Sequence, residues 1–145
     1  MKTHLNLATT DLAKSIEFYS VLLGAEPKRV LADYALFVTD EPALELALDL
    51  AESVSAGTDA HYGICAESAE DVDRAISRLQ NAGFAMSIER EQTCCFANQS
   101  KVWAVDPMGR RWEVYTVHAE VEERDGAAAT CCADADGSRS SCCAA

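Results

Sequence analysis

Positive charge is scarce in this sequence. Its 145 residues hold 12 Lys and Arg against 24 Asp and Glu, a formal net charge of −12. Nucleic-acid binders draw much of their affinity from phosphate contacts, so this balance argues against a nucleic-acid partner. It argues equally against an anionic membrane surface. No stretch is long or apolar enough to span a bilayer, and "MKTHLNLATTDLAKS" has no signal-peptide core. These absences point to a cytoplasmic protein that handles a small molecule. Core material is not lacking: 49% of the residues are hydrophobic, and the length suits one ordinary domain.

Cysteine, by contrast, is plentiful. Six of the seven fall in adjacent pairs, Cys94–Cys95, Cys131–Cys132 and Cys142–Cys143. A disulfide framework spreads its cysteines, and a bridge between sequence neighbours is strained. In a reducing compartment, paired thiols read better as ligands for a soft ion or metalloid.

Composition divides the chain near His118. The segment 119–145 is rich in Ala, Asp, Ser and Gly, holds two of the cysteine pairs, and is expected to be a disordered tail. The body, 1–118, reads as a repeat of two βαβββ modules, about 1–52 and 59–118. In "THLNLATTDLAKSIEFYSVLLGAEP" a strand over 2–7 leads to a cap at Thr10 or Asp11. Leu12, Ile16, Tyr19 and Leu23 then recur at helical spacing, and Gly24 ends the helix. "AHYGICAESAEDVDRAISRLQNAGF" repeats the plan, with a strand over 61–66, a cap near Ser68, a stripe of Val72, Ile76 and Leu79, and Gly83 as terminator. Strand-like runs follow each helix. Neither half can bury both faces of so small a sheet alone. The expected fold is therefore α+β: two modules forming a curved mixed sheet around a cleft, with the helices outside.

Both module-opening strands begin with histidine, His4 and His61. Alternation puts His4 with Asn6 on one face, His61 with Gly63 and Cys65, and Glu113 with Tyr115. If the modules are related by a pseudo-two-fold, His4 and His61 occupy equivalent positions, and Glu113 on the last strand adds a carboxylate. This donor set is that of non-haem Fe(II) oxygenases, though donor type alone also admits Zn, Mn, Co or Ni. Glu45, in "LELALDL", is expected to hold the first-module place of Glu113 and is a candidate fourth ligand. Cys65 lies about 13 Å along its strand from His61, too far for the same ion, and is expected in the core. His118 reads as incidental.

The segments "HLNLATTDLAKSIEFYSVLLGAEP", "HYGICAESAEDVDRAISRLQNAG" and "VWAVDPMGRRWEVY" resemble the paired modules of the vicinal oxygen chelate superfamily over nearly the whole body. "TCCFANQSKVW" is similar to the loop of its C–As lyase and cadmium-induced protein branch. The resemblance implies an Fe(II)- and O2-dependent dioxygenase that removes the organic group from trivalent organoarsenicals, such as methylarsonous acid or trivalent aromatic arsenicals, to leave inorganic arsenite. It implies His4, His61 and Glu113 as metal ligands and Cys94 and Cys95 as arsenic-binding thiols, in a monomer or homodimer. The loop around Cys94 is expected to move over the cleft, with Gln99, Lys101 and Tyr115 near enough to orient substrate. Glu45 departs from the lyase pattern and matches the fourth ligand of glyoxalase I. Two other readings follow: a glyoxalase-I-type lyase or isomerase, and a non-catalytic protein that sequesters cadmium or arsenic.

Overall fold

The computed structural model describes residues 2–55, 61–94 and 96–122. The expectations for Cys95, for the tail pairs Cys131–Cys132 and Cys142–Cys143, and for the tail beyond residue 122 lie outside the described residues. Each half is βαβββ. The first comprises β1 (Thr3–Thr9), α1 (Leu12–Leu23), β2 (Arg29–Val30), β3 (Tyr34–Thr39) and β4 (Leu44–Leu50). The second comprises β5 (His61–Cys65), α2 (Ala69–Asn81), β6 (Met86–Cys94), β7 (Ala97–Val105) and β8 (Arg111–Glu120). The strands form two four-stranded mixed sheets of matching order, β1-β4-β3-β2 and β5-β8-β7-β6. In each, the module's first and last strands run parallel and the other pairs antiparallel.

The helix boundaries follow the local chemistry. Asp11 caps α1, its carboxylate accepting from Lys14 N at 3.0 Å, and Ser68 caps α2, accepting from Asp71 N at 3.2 Å. Each cap satisfies an amide that the helix cannot. Gly24 ends α1 with φ 64°, a left-handed turn that glycine adopts without a Cβ penalty. The three strands of the second module's hairpins run longer than the apolar pattern shows. β6 reaches Cys94, β7 starts at Ala97 and β8 ends at Glu120, so Cys94 closes a long hairpin strand and does not stand in an open loop.

One core serves both modules. Leu7, Leu46, Leu48 and Phe37 from the first sheet, Phe18, Tyr19 and Leu22 from α1, Val72 and Leu79 from α2, and Trp112, Val114 and Val102 from the second sheet form a single buried cluster. The helices pack together within it, and Arg78 on α2 donates to the α1 terminal carbonyls of Val21 (3.0 Å) and Leu22 (3.1 Å). Alternation then requires His4 and Asn6, opposite Leu5 and Leu7, to face away from that core; His61 and Gly63, opposite Tyr62 and Ile64, do likewise.

The "DPMGR" turn ties the modules together. Asp106, 3% exposed, accepts from Tyr19 Oη at 2.7 Å, Arg110 N at 2.7 Å, Met108 N at 2.9 Å and Arg110 Nη1 at 3.0 Å. Arg110 Nη2 continues to Ala8 O at 2.7 Å, and Trp112 Nε1 donates to Tyr19 Oη at 3.2 Å. Burial and the Asp106 charge push the Tyr19 phenol well above its usual pKa, so it stays a neutral donor. Asp106→Ala is expected to cost about 3 kcal/mol, because it leaves a buried hydroxyl and turn amides without an acceptor. Urea unfolding followed by Trp fluorescence measures it, and a loss below about 1 kcal/mol would show that the network does not hold the modules together.

Candidate metal centre and thiol site

The histidines mark two separate half-sites. On the first sheet, His4 stands opposite Glu45 in the β1–β4 ladder, with Nδ1 3.8 Å from Oε2, and both side chains are about half exposed. On the second sheet, His61 Nε2 lies 3.4 Å from Glu113 Oε1, with the glutamate side chain 10% exposed. Among the described residues, no three His, Cys, Asp or Glu side chains converge. The structure thus brings His61 to Glu113 and His4 to Glu45, and does not bring His4 to His61 within one chain.

The ladders also correct the equivalence of the glutamates. Each histidine lies seven residues before its helix cap, Asp11 or Ser68, so His4 and His61 correspond. Glu45 pairs with His4 itself, whereas Glu113 pairs with Gly63, two residues beyond His61. By register, the counterpart of Glu113 in the first module is Ala47, and the counterpart of Glu45 is Arg111.

Glu113 sits in a cradle built by its neighbours. Its Oε2 accepts from Lys101 Nζ at 2.9 Å, and both side chains are almost wholly buried. Lys101 lies between aromatic rings, 5.2 Å from the Trp103 centroid and 5.9 Å from that of Tyr115. Burial pulls the ammonium's pKa down, but the hydrogen bond and charge of Glu113, helped by Cys94 and Glu89, outweigh this and raise it. A Cβ on Gly63 would stand 3.1 Å from Glu113 Oε1 and 3.3 Å from its Cγ, so glycine leaves the room in which the carboxylate meets His61. Two donors each about 2.1 Å from one ion, at tetrahedral or octahedral angles, lie about 3.0–3.4 Å apart. The 3.4 Å His61–Glu113 separation fits a shared divalent metal.

The thiols divide. Cys94 is 2% exposed, at the end of β6, where it pairs with Ala97, four residues before Lys101 on β7. A register shift between Glu89 and Gln92 precedes it, with Glu91 at φ 49°. Gln99, 5% exposed, donates to Cys94 O at 3.1 Å and so shapes the hairpin tip. Cys65 is exposed, not in the core: it shares the open face with Tyr115, whose phenol is pushed up by burial and then by Cys65. His118 pairs with Ser100 Oγ at 2.8 Å, away from the His61–Glu113 pair. The sequence places Gly63 on the His61 face without giving it a role, and Glu89 and Trp103 were passed over. Glu89 lies opposite Lys101 in the ladder, accepts from Trp103 Nε1 at 3.2 Å, and has its pKa raised by burial. Alternation from Glu113 across the three-stranded pairing would have found them, but only once the register was known.

The family model described as the Glyoxalase/Bleomycin resistance protein/Dioxygenase superfamily matches residues 3–114. The chain belongs to this superfamily. It is 42% identical over 130 residues, covering 89% of this chain and 81% of the relative, to a protein of Bacillus sp. (strain MD1) named trivalent organoarsenical cleaving enzyme. It is 41% identical over 141 residues, covering 90% and 92%, to the cadmium-induced protein CadI of Mycobacterium tuberculosis (strain H37Rv). Among solved structures, the glyoxalase/bleomycin resistance protein/dioxygenase of Alicyclobacillus acidocaldarius superposes with a TM-score of 0.66 at 19% identity, covering 82% of this chain and 92% of that one. That likeness shows the superfamily fold. No helix among the described residues is long and apolar enough to cross a membrane.

Proposed function

We propose that this superfamily member is a cytoplasmic C–As lyase, an Fe(II)- and O2-dependent dioxygenase that converts trivalent organoarsenicals, methylarsonous acid or trivalent aromatic arsenicals, to inorganic arsenite. The observation that carries the reading is one sheet that holds a metal-type donor pair, His61 and Glu113, the Lys101 that binds Glu113 from β7, and Cys94, which pairs with Ala97 four residues earlier on that same strand. The names of the relatives support the substrate class. β8 carries the domain past the expected boundary at 118, through Glu120, and the segment beyond residue 122 is taken as a tail outside the catalytic domain.

His4 completes the donor set from a second copy of the chain. Both histidine faces look away from the shared core, so a two-fold homodimer can lay the first sheet of one copy over the second sheet of the other. Charge does not oppose the match: Glu45 and Asp49 lie on the first open face, and on the second Lys101 and Arg111 offset Glu89 and Glu113. His4 from one copy then joins His61 and Glu113 of the other. Fe(II) held there would supply the redox chemistry that activates O2.

The chain's own residues capture and place the substrate. Trivalent arsenic is soft and thiophilic. A species R–As(OH)2 exchanges its two hydroxyls for the sulfurs of Cys94 and Cys95, releasing two waters and leaving the As–C bond free. Inorganic arsenite, with a third exchangeable position, is held incompletely by two thiols and leaves. Covered by the second copy, the sheet face that carries Trp103 and Tyr115 excludes water around the carbon being cleaved.

Incubation of the purified protein with methylarsonous acid, Fe(II) and air, followed by separation of arsenic species, tests the reading. Arsenite is expected only with both iron and oxygen. Cys94→Ser is expected to lower kcat/KM by about a hundredfold or more while metal binding is unchanged, as loss of substrate placement does. Normal turnover by that variant would remove the thiol from the mechanism. The 3.8 Å approach of His4 to Glu45 favours one other reading, a glyoxalase-I-type enzyme with both glutamates as ligands. Turnover of the glutathione–methylglyoxal adduct with Ni or Zn, and no arsenite, would select it.

A further inference from the structure

Lys101 is the most deeply buried cation near the candidate site, 4% exposed, and a buried lysine directly before "VWAV" on β7 is an expensive choice for packing alone. Its position explains that choice. It occupies one oxygen of Glu113, Oε2, at 2.9 Å, while the other, Oε1, is turned to His61 at 3.4 Å. Gly63 lies on the far side of the same carboxylate, where any Cβ would crowd Oε1 at 3.1 Å. The side chain is therefore fixed from two sides: a donor holds one oxygen, and a missing methyl group makes space for the other.

We propose that Lys101 and Gly63 are positioning residues that present Glu113 to the metal through a single oxygen, and thereby keep open a coordination position that a chelating carboxylate would fill. A free glutamate can bind a cation through one oxygen or both. With Oε2 committed to an ammonium, only Oε1 is left to donate. Outer partners of this kind orient ligating groups and tune metal sites elsewhere. Here the consequence is specific: an open position is what a substrate or O2 needs, so Lys101 sets reactivity without touching the substrate. The inference rests on the metal site proposed above.

The test uses Mn(II) and Co(II) as probe metals on the full-length protein. Water-proton relaxation by bound Mn(II) counts exchangeable waters, and the visible spectrum of bound Co(II) reports its ligand shell. Lys101→Met is expected to lower the relaxation enhancement by about a third or more, as a second carboxylate oxygen replaces a water, and to shift the Co(II) bands. Lys101→Gln retains a donor for Oε2 and is expected to stay closer to the wild type on both readouts. Gly63→Ala is expected to weaken Co(II) binding about tenfold or more, with the far-ultraviolet circular dichroism unchanged. Identical relaxation and spectra in Lys101→Met and the wild type would overturn the role of Lys101, and unchanged Co(II) affinity in Gly63→Ala would overturn that of Gly63. If the wild type itself binds neither metal, the metal site falls, which is a different result from either. Should Lys101→Met fail to fold, Lys101→Ala, which also lacks a donor for Oε2, takes its place with the same expected and overturning results.

Discussion

Replacing Glu113 by Leu is expected to abolish both turnover and metal binding and to destabilise the fold by about 3–5 kcal/mol, the usual cost of removing one partner of a buried ion pair. The size of the effect comes from what remains. Lys101 would keep its charge in a setting with 5% side-chain exposure, flanked by Trp103 and Tyr115, having lost the acceptor 2.9 Å away. Glu89 stands opposite Lys101 in the ladder, but one of its oxygens is already held by Trp103 Nε1 at 3.2 Å. Adding Lys101→Met to Glu113→Leu removes the stranded charge and fills the space with apolar atoms. A pair exchanged for well-packed hydrophobic side chains is often neutral or better in stability. The double variant is therefore expected to recover most of the urea midpoint and none of the arsenite formation. If the double variant stayed as unstable as the single one, the cost of Glu113→Leu would lie in packing and not in the ion pair. If Glu113→Leu retained turnover, the donor pair with His61 would not be the active centre.

The separation of stability from function in that pair mirrors what a sequence can and cannot show. Helix caps, terminal glycine and apolar stripes are local, and Asp11, Ser68 and Gly24 stand where their chemistry predicts. The two-module plan was legible because each module repeats that local grammar. Faces of strands were legible too, since alternation needs no partner: His4, His61 and Glu113 all point away from the core. Register was not legible. It depends on which residues meet across a ladder, and nothing in "LELALDL" or "RRWEVYTV" announces that Glu45 meets His4 while Glu113 meets Gly63. The long hairpin that carries Cys94 was hidden for a related reason. Residues 91–99 lack the apolar alternation of a strand, so they read as loop, yet the ladder between β6 and β7 is held by backbone bonds that such side chains do not prevent. The burial of Lys101 was likewise invisible, because a lysine in sequence looks exposed until a carboxylate is brought to it from another strand.

Whether one chain or two build the centre is decided by mixing inactive variants. His4→Ala and His61→Ala are each expected to be inactive alone, since each removes a metal donor from every site. If the centre joins His4 of one copy to His61 and Glu113 of another, a mixed dimer contains one site with both histidines replaced and one site with neither. Statistical reassortment makes half of the dimers mixed, so activity should rise from near zero to about a quarter of the wild-type value. Recovery should follow dimer exchange in time and depend on protein concentration. A centre assembled within a single chain cannot be rescued this way, because every chain in the mixture lacks a ligand. The geometry favours rescue. His4 and His61 each lie opposite residues that fill one common core, and a strand side chain cannot be buried in that core and exposed on the reverse face at once. Persistent inactivity of a mixture that demonstrably exchanges subunits would require the two modules to repack about the α1–α2 contact, and with it the disruption of the Tyr19–Asp106–Arg110 network that now joins them.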